Sequence, residues 1–359
     1  MSRRLLHMLI RTDAAPKHGL GHLTRCIALA LEFRARGWHV YFCVNSGGYP
    51  LPFLLRRDRF AATLLRFKSL HQAGGKKDLR QVHRLGGQLS AKVVLVDSYD
   101  ITPAYLRQLT ASGYFVIRLD DLARQPGPAH VIINGNIGAE RLRYRCRPDS
   151  LVLAGNRFAL IRREIRTLRR RLGHLPVRSR ASRVLICLGG SDPCGQSLRV
   201  LRWLETVPET FSVDVLTTRY FRHRDRLRRL ASRLKSPVRI HCEPVGVGRL
   251  MRSCDLAITA AGVTSYELAC LGVPFLVFKL YDNQCYAHRY LVRRGIALNA
   301  GDHGKHSSRY FISQFQRLLS NAELRRQIQR RAFRAFDGRG PERVVRSVTR
   351  AFQAQMARA

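Results

Sequence analysis

The sequence predicts an α/β protein built from two doubly wound, Rossmann-like domains. Short apolar runs rich in β-branched and aromatic residues alternate with longer stretches of helical period, which is the pattern of βαβ units. The pattern starts again after about residue 183. A length of 359 residues is enough for two domains of ordinary size, and an apolar content of 45% gives each domain a core of its own.

Six runs define the strands of the first domain, which we expect to span residues 1–172. Each run is short and apolar, and helical stretches separate the runs. In chain order, the predicted strands cover residues 5–11, 39–44, 93–97, 115–119, 131–134 and 151–154. The segment 172–182, which contains Gly173, Pro176 and a dense run of arginines, is expected to link the two domains.

The second domain is expected to span residues 183–336. Its predicted strands cover residues 184–188, 213–217, 238–242, 256–259 and 275–280. The predicted helices between them cover residues 195–205, 222–234, 247–253, 264–271 and 284–293. Ligands of open parallel sheets bind beyond the carboxyl ends of the strands, so we expect the site in a cleft between two such domains.

The net charge of +40, from 64 basic and 24 acidic residues, has three interpretations. The arginines are densest at residues 162–180 and 219–233, where Leu and Ile recur at helical spacing, and this pattern is typical of solvated helix faces. Peripheral contact with an anionic membrane is the second interpretation. Nucleic-acid binding is the least favoured, because the sequence has neither a Cys/His finger nor an aromatic RNA-binding motif.

The chain is expected to be cytoplasmic. No window approaches the run of about 18 apolar residues that a membrane-spanning helix needs, and residues 1–13 lack the apolar core of a secretory leader. The nine cysteines are spaced singly, which indicates reduced thiols. Metal-ligand spacing is absent, since Asp120 and Asp121 are adjacent and His303 and His306 stand among Gly, Lys and Ser. We therefore expect neither a metal nor a cofactor.

A glycine-containing turn follows the first strand and opens a helix. Gly19 and Gly21 let the backbone turn tightly and approach a ligand at the helix N-terminus. Thr24 stands where a dinucleotide-binding fingerprint needs its third glycine, so that fingerprint is incomplete. His22, in the same turn, suits a general acid or base near neutral pH, although a histidine that only caps a loop is the more common case.

The first loop of the second domain has a similar form. Gly189, Gly190 and Ser191 can offer backbone N–H groups and a hydroxyl to a phosphate. Such a loop often needs glycine only to turn, so this motif is a moderate indication by itself.

Two later loops of the second domain carry further polar residues. The N-terminus of the helix after Gly262 could take a diphosphate while Glu267 accepts from ribose hydroxyls, although an ordinary capping box explains Glu267 equally well. Thr264 and Ser265 supply hydroxyls at the same helix start. After the next strand, the polar cluster at that loop comprises Tyr281, Asp282, Asn283 and Gln284.

Seven motifs, taken in order, resemble the nucleotide-sugar hydrolase of pseudaminic acid synthesis and its spore-coat-polysaccharide relatives. The resemblance runs through about residues 8 to 300. The motifs are Arg11-Thr-Asp13 with Gly19-Leu-Gly-His-Leu-Thr-Arg-Cys26, Val96-Asp-Ser-Tyr99, Leu119-Asp-Asp-Leu-Ala123, Asn134-Gly-Asn136, the stretch 155–162, Gly189-Gly-Ser-Asp192 and Asp282-Asn-Gln284.

The resemblance implies the GT-B architecture and a last helix that crosses back to the first domain. Residues 337–359 are assigned to that helix, because Val344, Val348 and Phe352 recur at helical spacing. The resemblance also implies metal-independent hydrolysis of a UDP-linked 2,4-diacetamido-2,4,6-trideoxyhexose to UDP and the free sugar. Two alternative functions stay open: a glycosyltransferase on the same fold, docked on anionic lipid, and a catalytically silent protein that binds a sugar nucleotide or associates with nucleic acid.

The same resemblance assigns roles to the residues found above. His22 matches the histidine that activates water for attack on the anomeric carbon. Asp13 and Tyr99 would line the sugar side together with Gly19 and Gly21, whereas Arg11 and Arg25 have a structural alternative. The residues that would hold UDP are Gly189, Gly190, Ser191, Gly262, Thr264, Ser265 and Glu267. Asn283 and Gln284 would lie near the diphosphate or the sugar.

Overall fold

The computed structural model describes residues 6–14, 20–47, 53–65, 73–124, 127–172, 176–302 and 307–358. These residues form two compact units. The first comprises Met1–Arg162 with Arg339–Ala359, and the second comprises Arg163–Gly338. In the described residues, no helix combines the length and the hydropathy needed to span a membrane.

The first unit contains a fully parallel sheet of seven described strands. The strands are β1 (Leu6–Asp13), β2 (Trp38–Asn45), β3 (Ala61–Leu65), β4 (Val93–Asp97), β5 (Phe115–Leu119), β6 (Val131–Asn134) and β7 (Leu151–Ala154). Their order in the sheet is β3-β2-β1-β4-β5-β6-β7. The chain therefore moves outward from β1 in one direction, returns, and continues from β4 in the other, so β1 and β4 flank the topological switch point.

Four helices of the first unit precede β6. They are α1 (Gly21–Arg34), α2 (Phe53–Arg57), α3 (Lys76–Gln88) and α4 (Pro103–Ala111). Helix α4 begins where its sequence dictates, because the Thr102 side chain accepts a hydrogen bond from the backbone N–H of Tyr105 and Pro103 occupies the first turn. Helix α1 buries Leu23, Ile27 and Leu29 among the core residues of this unit.

The second unit contains a parallel sheet of six described strands. The strands are β8 (Arg183–Cys187), β9 (Ser212–Thr217), β10 (Val238–Cys242), β11 (Leu256–Ala260), β12 (Phe275–Lys279) and β13 (Leu298–Asp302). Their order is β10-β9-β8-β11-β12-β13, so the switch point of this sheet lies between β8 and β11. The prediction of two doubly wound parallel sheets is confirmed.

Eight described helices surround this second sheet. They are α5 (Arg163–Leu172), α6 (Gln196–Glu205), α7 (Arg224–Ala231), α8 (Val247–Ser253), α9 (Val263–Leu271), α10 (Cys285–Arg293), α11 (Ser308–Ser320) and α12 (Ala322–Ala335). Helix α5 groups with this unit, because the backbone of Gly248 in α8 donates to Glu164 and Gly248 packs against Leu168 and Ile165. The structural division thus falls at residue 162, whereas the sequence analysis placed it at 172.

The last helix, α13 (Gly340–Met356), belongs to the first unit. Its Val344, Val348 and Phe352 side chains are buried in that unit's core. The Phe352 ring packs edge-on against Trp38 and Phe115, with ring centroids 5.7 and 5.4 Å apart. Aromatic pairs in this geometry each add about 0.5–1.5 kcal/mol beyond the area that they bury.

The sequence pattern does not predict two of the strands, β3 and β13. β3 is an edge strand whose five residues include a single buried position, so its apolar signal is weak. β13 has the sequence Leu-Asn-Ala-Gly-Asp, and three of these residues are depleted in strands. Its pairing with β12 shifts register between Val277 and Phe278. Pairing with an existing sheet, rather than intrinsic propensity, forms these two strands.

Candidate active site

The carboxyl edge of the first sheet brings distant acidic residues together. Thr12 of β1 pairs with Asp97 of β4, so Asp13 and Asp97 leave the sheet side by side at the switch point. Asp121 follows β5, and Asn136 follows β6. Helix α1 starts at this edge and supplies His22 and Arg25.

His22 and Asp97 form a buried hydrogen-bonded pair. The His22 Nδ1 atom lies 2.6 Å from Asp97 Oδ1, and the exposed fractions of the two side chains are 6% and 0%. Burial by itself would raise the pKa of Asp97, but the charge of Arg25 and the hydrogen bonds from Arg25 and His22 outweigh it and hold this pKa well below its usual range. Because Asp97 is an ionised acceptor, Nδ1 carries the ring proton and Nε2 carries the basic lone pair.

Arg25 links two carboxylates. Its Nε and Nη2 atoms donate to the two oxygens of Asp97 at 2.7 and 2.6 Å, and its Nη1 atom donates to both oxygens of Asp121 at 2.7 and 2.8 Å. Burial would lower the pKa of Arg25, but Asp121 and Asp97 raise it well above its usual value. The guanidinium therefore stays charged, and its planar set of N–H donors holds both carboxylates in place.

Asp121 also orients Tyr99 and Asn136 through hydrogen bonds. It accepts hydrogen bonds from the Tyr99 hydroxyl at 2.8 Å and from the Asn136 amide at 2.8 Å. The Tyr99 ring stands edge-on to the His22 ring, with centroids 4.7 Å apart, and is 36% exposed. Tyr99 is thus the accessible member of a rigid group that includes the histidine.

Asp13 lies in a second buried network beneath the same edge. Arg11 donates to Asp13 Oδ1 at 2.7 Å and to Asp78 through Nε and Nη2, and all three side chains are fully buried. The Tyr105 hydroxyl donates to Asp78 at 2.9 Å. Burial would raise the pKa of Asp13, but Arg11 outweighs it, so the pKa of Asp13 is lowered. Asp13 Oδ2 has no hydrogen-bond partner among the described residues.

The glycine turn of the first unit is described only in part. Gly21 begins α1, and a Cβ atom at this position would meet no heavy atom within 4 Å. A ligand can therefore approach the backbone closely there. Gly19 lies outside the described residues.

The loop after β8 needs both of its glycines. Gly189 has φ of 100°, a left-handed conformation that favours glycine, and a Cβ atom on Gly190 would lie 2.6 Å from Thr218 Cγ2. Ser191 is buried. Asp192 accepts from the backbone N–H groups of Gln196 and Ser197 at 2.9 and 2.8 Å, which stabilises the start of α6.

The start of α9 combines an open glycine with buried polar residues. Gly262 is the N-cap, and a Cβ atom there would meet no heavy atom within 4 Å. The Ser265 hydroxyl donates to the Gly262 carbonyl at 2.6 Å, and both Ser265 and Glu267 are fully buried. Glu267 is the fifth residue of the helix, so it does not occupy the third position that a capping box requires. Thr264 is partly exposed.

The loop after β12 lies beside the loop after β8. Burial, followed by the neighbouring Cys194 and Asp192, raises the pKa of Tyr281. Gln284 Oε1 accepts from the backbone N–H of Leu280 at 3.0 Å, so this side chain closes its own loop. Asn283 is exposed.

Sequence reasoning did not place Asp97, Asp121, Asn136 or Arg25 among the site residues. Position in the sequence could have indicated three of them, because Asp97 ends a predicted strand and Asp121 and Asn136 each follow one, all at the same edge of the sheet. In the described residues, no group of three or more His, Cys, Asp or Glu side chains could hold a metal ion. His303 and His306 lie outside those residues.

Comparison with curated proteins shows homology to a polysaccharide-biosynthesis protein. The chain is 24% identical to the spore coat polysaccharide biosynthesis protein SpsG of Bacillus subtilis over 347 residues, which cover 95% of this chain and 97% of that protein. It is also 24% identical over 293 residues to the uncharacterised protein MJ1062 of Methanocaldococcus jannaschii. That match covers 78% of this chain and 56% of the relative, so the chain spans about half of its length. The search for a matching family model found none.

Solved structures show the fold class. MurG of Acinetobacter baumannii has a TM-score of 0.65 at 15% identity, with 96% of this chain and 99% of MurG covered. The spinosyn rhamnosyltransferase SpnG has a TM-score of 0.64 at 15% identity, with 96% and 100% covered. The UDP-GlcNAc 2-epimerase of Neisseria meningitidis, bound to UDP-GlcNAc, has a TM-score of 0.64 at 14% identity, with 96% and 100% covered. The predicted GT-B class and the resemblance to the spore-coat-polysaccharide relatives are confirmed.

Proposed function

We propose that the chain hydrolyses a UDP-linked 2,4-diacetamido-2,4,6-trideoxyhexose to UDP and the free sugar, without a metal. The observation that carries this proposal is the buried hydrogen bond between His22 and Asp97 at the switch point of the first sheet. Homology to a polysaccharide-biosynthesis protein and likeness to an epimerase bound to UDP-GlcNAc support a nucleotide-sugar substrate. We place the reaction in the cytoplasm.

His22 acts as the base in this proposal. Its Nε2 lone pair takes a proton from water while the water oxygen bonds to the anomeric carbon. The bond between that carbon and the diphosphate oxygen breaks, and its electron pair leaves with UDP. Asp97 accepts from Nδ1, so it stabilises the imidazolium that forms. The proton on His22 then passes to solvent, which returns the base to its starting state.

The residues around His22 would bind the sugar. Tyr99 offers an exposed ring face and is held by Asp121, so it can pack against a sugar without losing its position. Asp13 has a buried oxygen that could accept an N–H or O–H of the substrate. The open backbone at Gly21, with Gly19 before it, would let the sugar approach the start of α1.

The carboxyl edge of the second sheet would bind UDP. The N-terminus of α9, with Gly262 open and Thr264 partly exposed, can receive the diphosphate. Gly189, Gly190 and Ser191 border the same switch point from β8.

Other residues at this edge shape the site from within. Three of them would support the loops rather than contact the ligand directly. Ser265 and Glu267 are buried, and Gln284 accepts a hydrogen bond from its own loop. Asn283 is exposed and remains a candidate contact to the diphosphate or the sugar.

The test is release of UDP from UDP-2,4-diacetamido-2,4,6-trideoxy-L-altrose in a coupled assay, with chelator and no acceptor. Rapid release supports a metal-independent hydrolase. The variant His22→Asn should lose turnover and keep its affinity for UDP within a few-fold, because UDP would bind to the second unit. Normal turnover in this variant would remove His22 from the chemistry. Glu267→Ala should weaken UDP binding, because Glu267 would support the start of α9 from within, and unchanged UDP affinity would remove that role.

A glycosyltransferase acting at a membrane surface is the second candidate. Arg226 and Arg229 of α7 are exposed and lie three residues apart on one helix face, and Arg222 and Arg233 just beyond the two ends of the helix are exposed as well. Each basic residue near an anionic bilayer contributes about 1 kcal/mol of attraction. Glycosyltransferases among the structural neighbours make this candidate consistent with the fold.

The two candidates differ in what UDP release requires. A transferase releases little UDP until an acceptor is added, and a membrane-docked one sediments with vesicles containing anionic phospholipid but not with neutral ones. A chain that releases UDP rapidly in solution and stays out of the vesicle pellet contradicts the second candidate. Sedimentation that duplex DNA abolishes would point to non-specific binding of polyanions instead.

A further inference from the structure

Among the described residues, the charges of Arg25, Asp97 and Asp121 beside His22 do not balance when the imidazole ring is neutral. Arg25 contributes one positive charge, and it pairs with the two carboxylates of Asp97 and Asp121. The exposed fractions of these three side chains are 11%, 0% and 11%, so solvent screens them weakly. The cluster therefore has one excess negative charge, and a proton on His22 neutralises it.

Asp121 shares no described hydrogen bond with His22 and is joined to it through Arg25. Arg25 Nη2 lies 3.1 Å from His22 Nδ1, and Arg25 Nη1 holds Asp121 at 2.7 Å. The positive charge of Arg25 thus lies directly beside the imidazole, and the negative charge of Asp121 lies on the far side of Arg25. In the residues that the structure describes, the charged and titratable groups around the ring are Asp13 of β1, Arg25 of α1, Asp97 at the end of β4, Tyr99 after it, and Asp121 after β5.

We propose that Arg25 and Asp121 are positioning residues that set the proton affinity of His22 in opposite directions, Arg25 lowering it and Asp121 raising it. Asp121 compensates the positive charge that the ring gains when it takes the proton from water. The catalytic meaning of this role rests on the proposed hydrolysis, whereas the effect on proton affinity does not. Arg25 also keeps Asp97 ionised, which fixes the ring proton on Nδ1.

The experiment is a pH titration of His22 by NMR on the full chain labelled with nitrogen-15 in histidine. The His22 signals are assigned by their loss in His22→Asn, and their shifts report both the tautomer and the titration midpoint. Asp121→Asn removes a negative charge, so the midpoint should move down by about one pH unit. Arg25→Met removes the positive charge, so the midpoint should move up by about one pH unit.

Two further variants keep the test decisive. Asp120→Asn is the matched control, because Asp120 is paired with Arg118 at 3.5 Å, and asparagine can still accept from the N–H groups of Leu122 and Ala123. This control should leave the midpoint unchanged. If Arg25→Met does not fold, the double variant Arg25→Met/Asp121→Asn restores the original cluster charge, and its midpoint should match that of the wild type.

The outcomes separate this inference from the proposed function. Midpoints that move in the same direction, or that stay fixed in both single variants, overturn the inference. Opposite shifts in a chain that does not hydrolyse the nucleotide sugar support the inference and contradict the function. In an active chain, the lower limb of the pH profile of kcat/KM, which reports the free enzyme, should follow each midpoint.

Discussion

The Nδ1 atom of His22 lies 2.6 Å from Oδ1 of Asp97, although 75 positions separate the two residues in the sequence. The parallel pairing of β1 with β4 creates this contact, because it places the end of β4 beside the start of α1. The same pairing defines the switch point at which open parallel sheets bind ligands.

Replacing Asp97 by asparagine should remove most of the activity without removing UDP binding. An amide can turn its N–H₂ toward His22 and stabilise the wrong tautomer, and it cannot balance an imidazolium. We expect kcat to fall by about 10²–10⁴-fold. Steady-state kinetics and calorimetry with UDP measure the two effects. Asp149→Asn, which removes a charge from an exposed ion pair with Arg147, is the matched control and should keep full activity.

The stability of the chain should fall in acid because of Asp97 and Asp13. The pKa values of both are lowered in the folded chain relative to an unfolded value of about 4. Their contribution is therefore fully present above about pH 5 and is lost as the pH falls through the folded values. Urea unfolding between pH 7 and pH 3 should show this loss, and Asp97→Asn should show a shallower loss from a lower starting stability. An equal slope in the two proteins would contradict this account of Asp97.

Tyr105→Phe tests the buried network around Asp78. The substitution removes a hydroxyl that donates to a fully buried carboxylate at 2.9 Å and changes little else. A hydrogen bond to a charged group contributes about 1.5–3 kcal/mol, so the free energy of unfolding should fall by that amount. Chemical denaturation measures it. Tyr41→Phe, which loses a partly buried hydroxyl pair with Thr63 at an outer strand, should cost about 1 kcal/mol or less.

Gly190→Ala should disturb the loop that we assign to UDP. The added Cβ would lie 2.6 Å from Thr218 Cγ2, and the Thr218 hydroxyl and backbone N–H both donate to the Gly190 carbonyl. Overpacking of this kind costs about 1–3 kcal/mol, and the displaced loop should bind UDP more weakly. Gly87→Ala is the control, because its Cβ meets no heavy atom and it lies in α3, where alanine should stabilise by about 0.5–1 kcal/mol. Unchanged UDP affinity in Gly190→Ala would remove this loop from the site.

The sequence was informative where a pattern repeats. The apolar runs of β4, β5, β6 and β7 match the predicted ranges residue for residue, since buried parallel strands are nearly continuous in apolar residues. β3 and β13 form by pairing with a sheet that is already present, and their composition does not encode that pairing.

The sequence predicts which residues belong to the site but not which of their side chains contact one another. His22 and Tyr99 could be singled out because they follow strands and belong to motifs of the resemblance. That Arg25 joins Asp97 to Asp121 depends on contacts across 72 and 96 residues of sequence, and no local pattern encodes such distances. Ser265 and Glu267 show the opposite case, since their motif suggests a ligand contact whereas both side chains are buried.

Hydrolysis in water enriched in oxygen-18, with the products analysed by mass spectrometry, tests the central claim most directly. If His22 activates water for attack on the anomeric carbon, the label appears in the free sugar, none appears in UDP, and His22→Asn forms neither product. Label in UDP would mean attack at phosphorus, and equal labelling of the sugar by His22→Asn would mean that another group activates the water. Either result would contradict the role assigned here to His22 and Asp97.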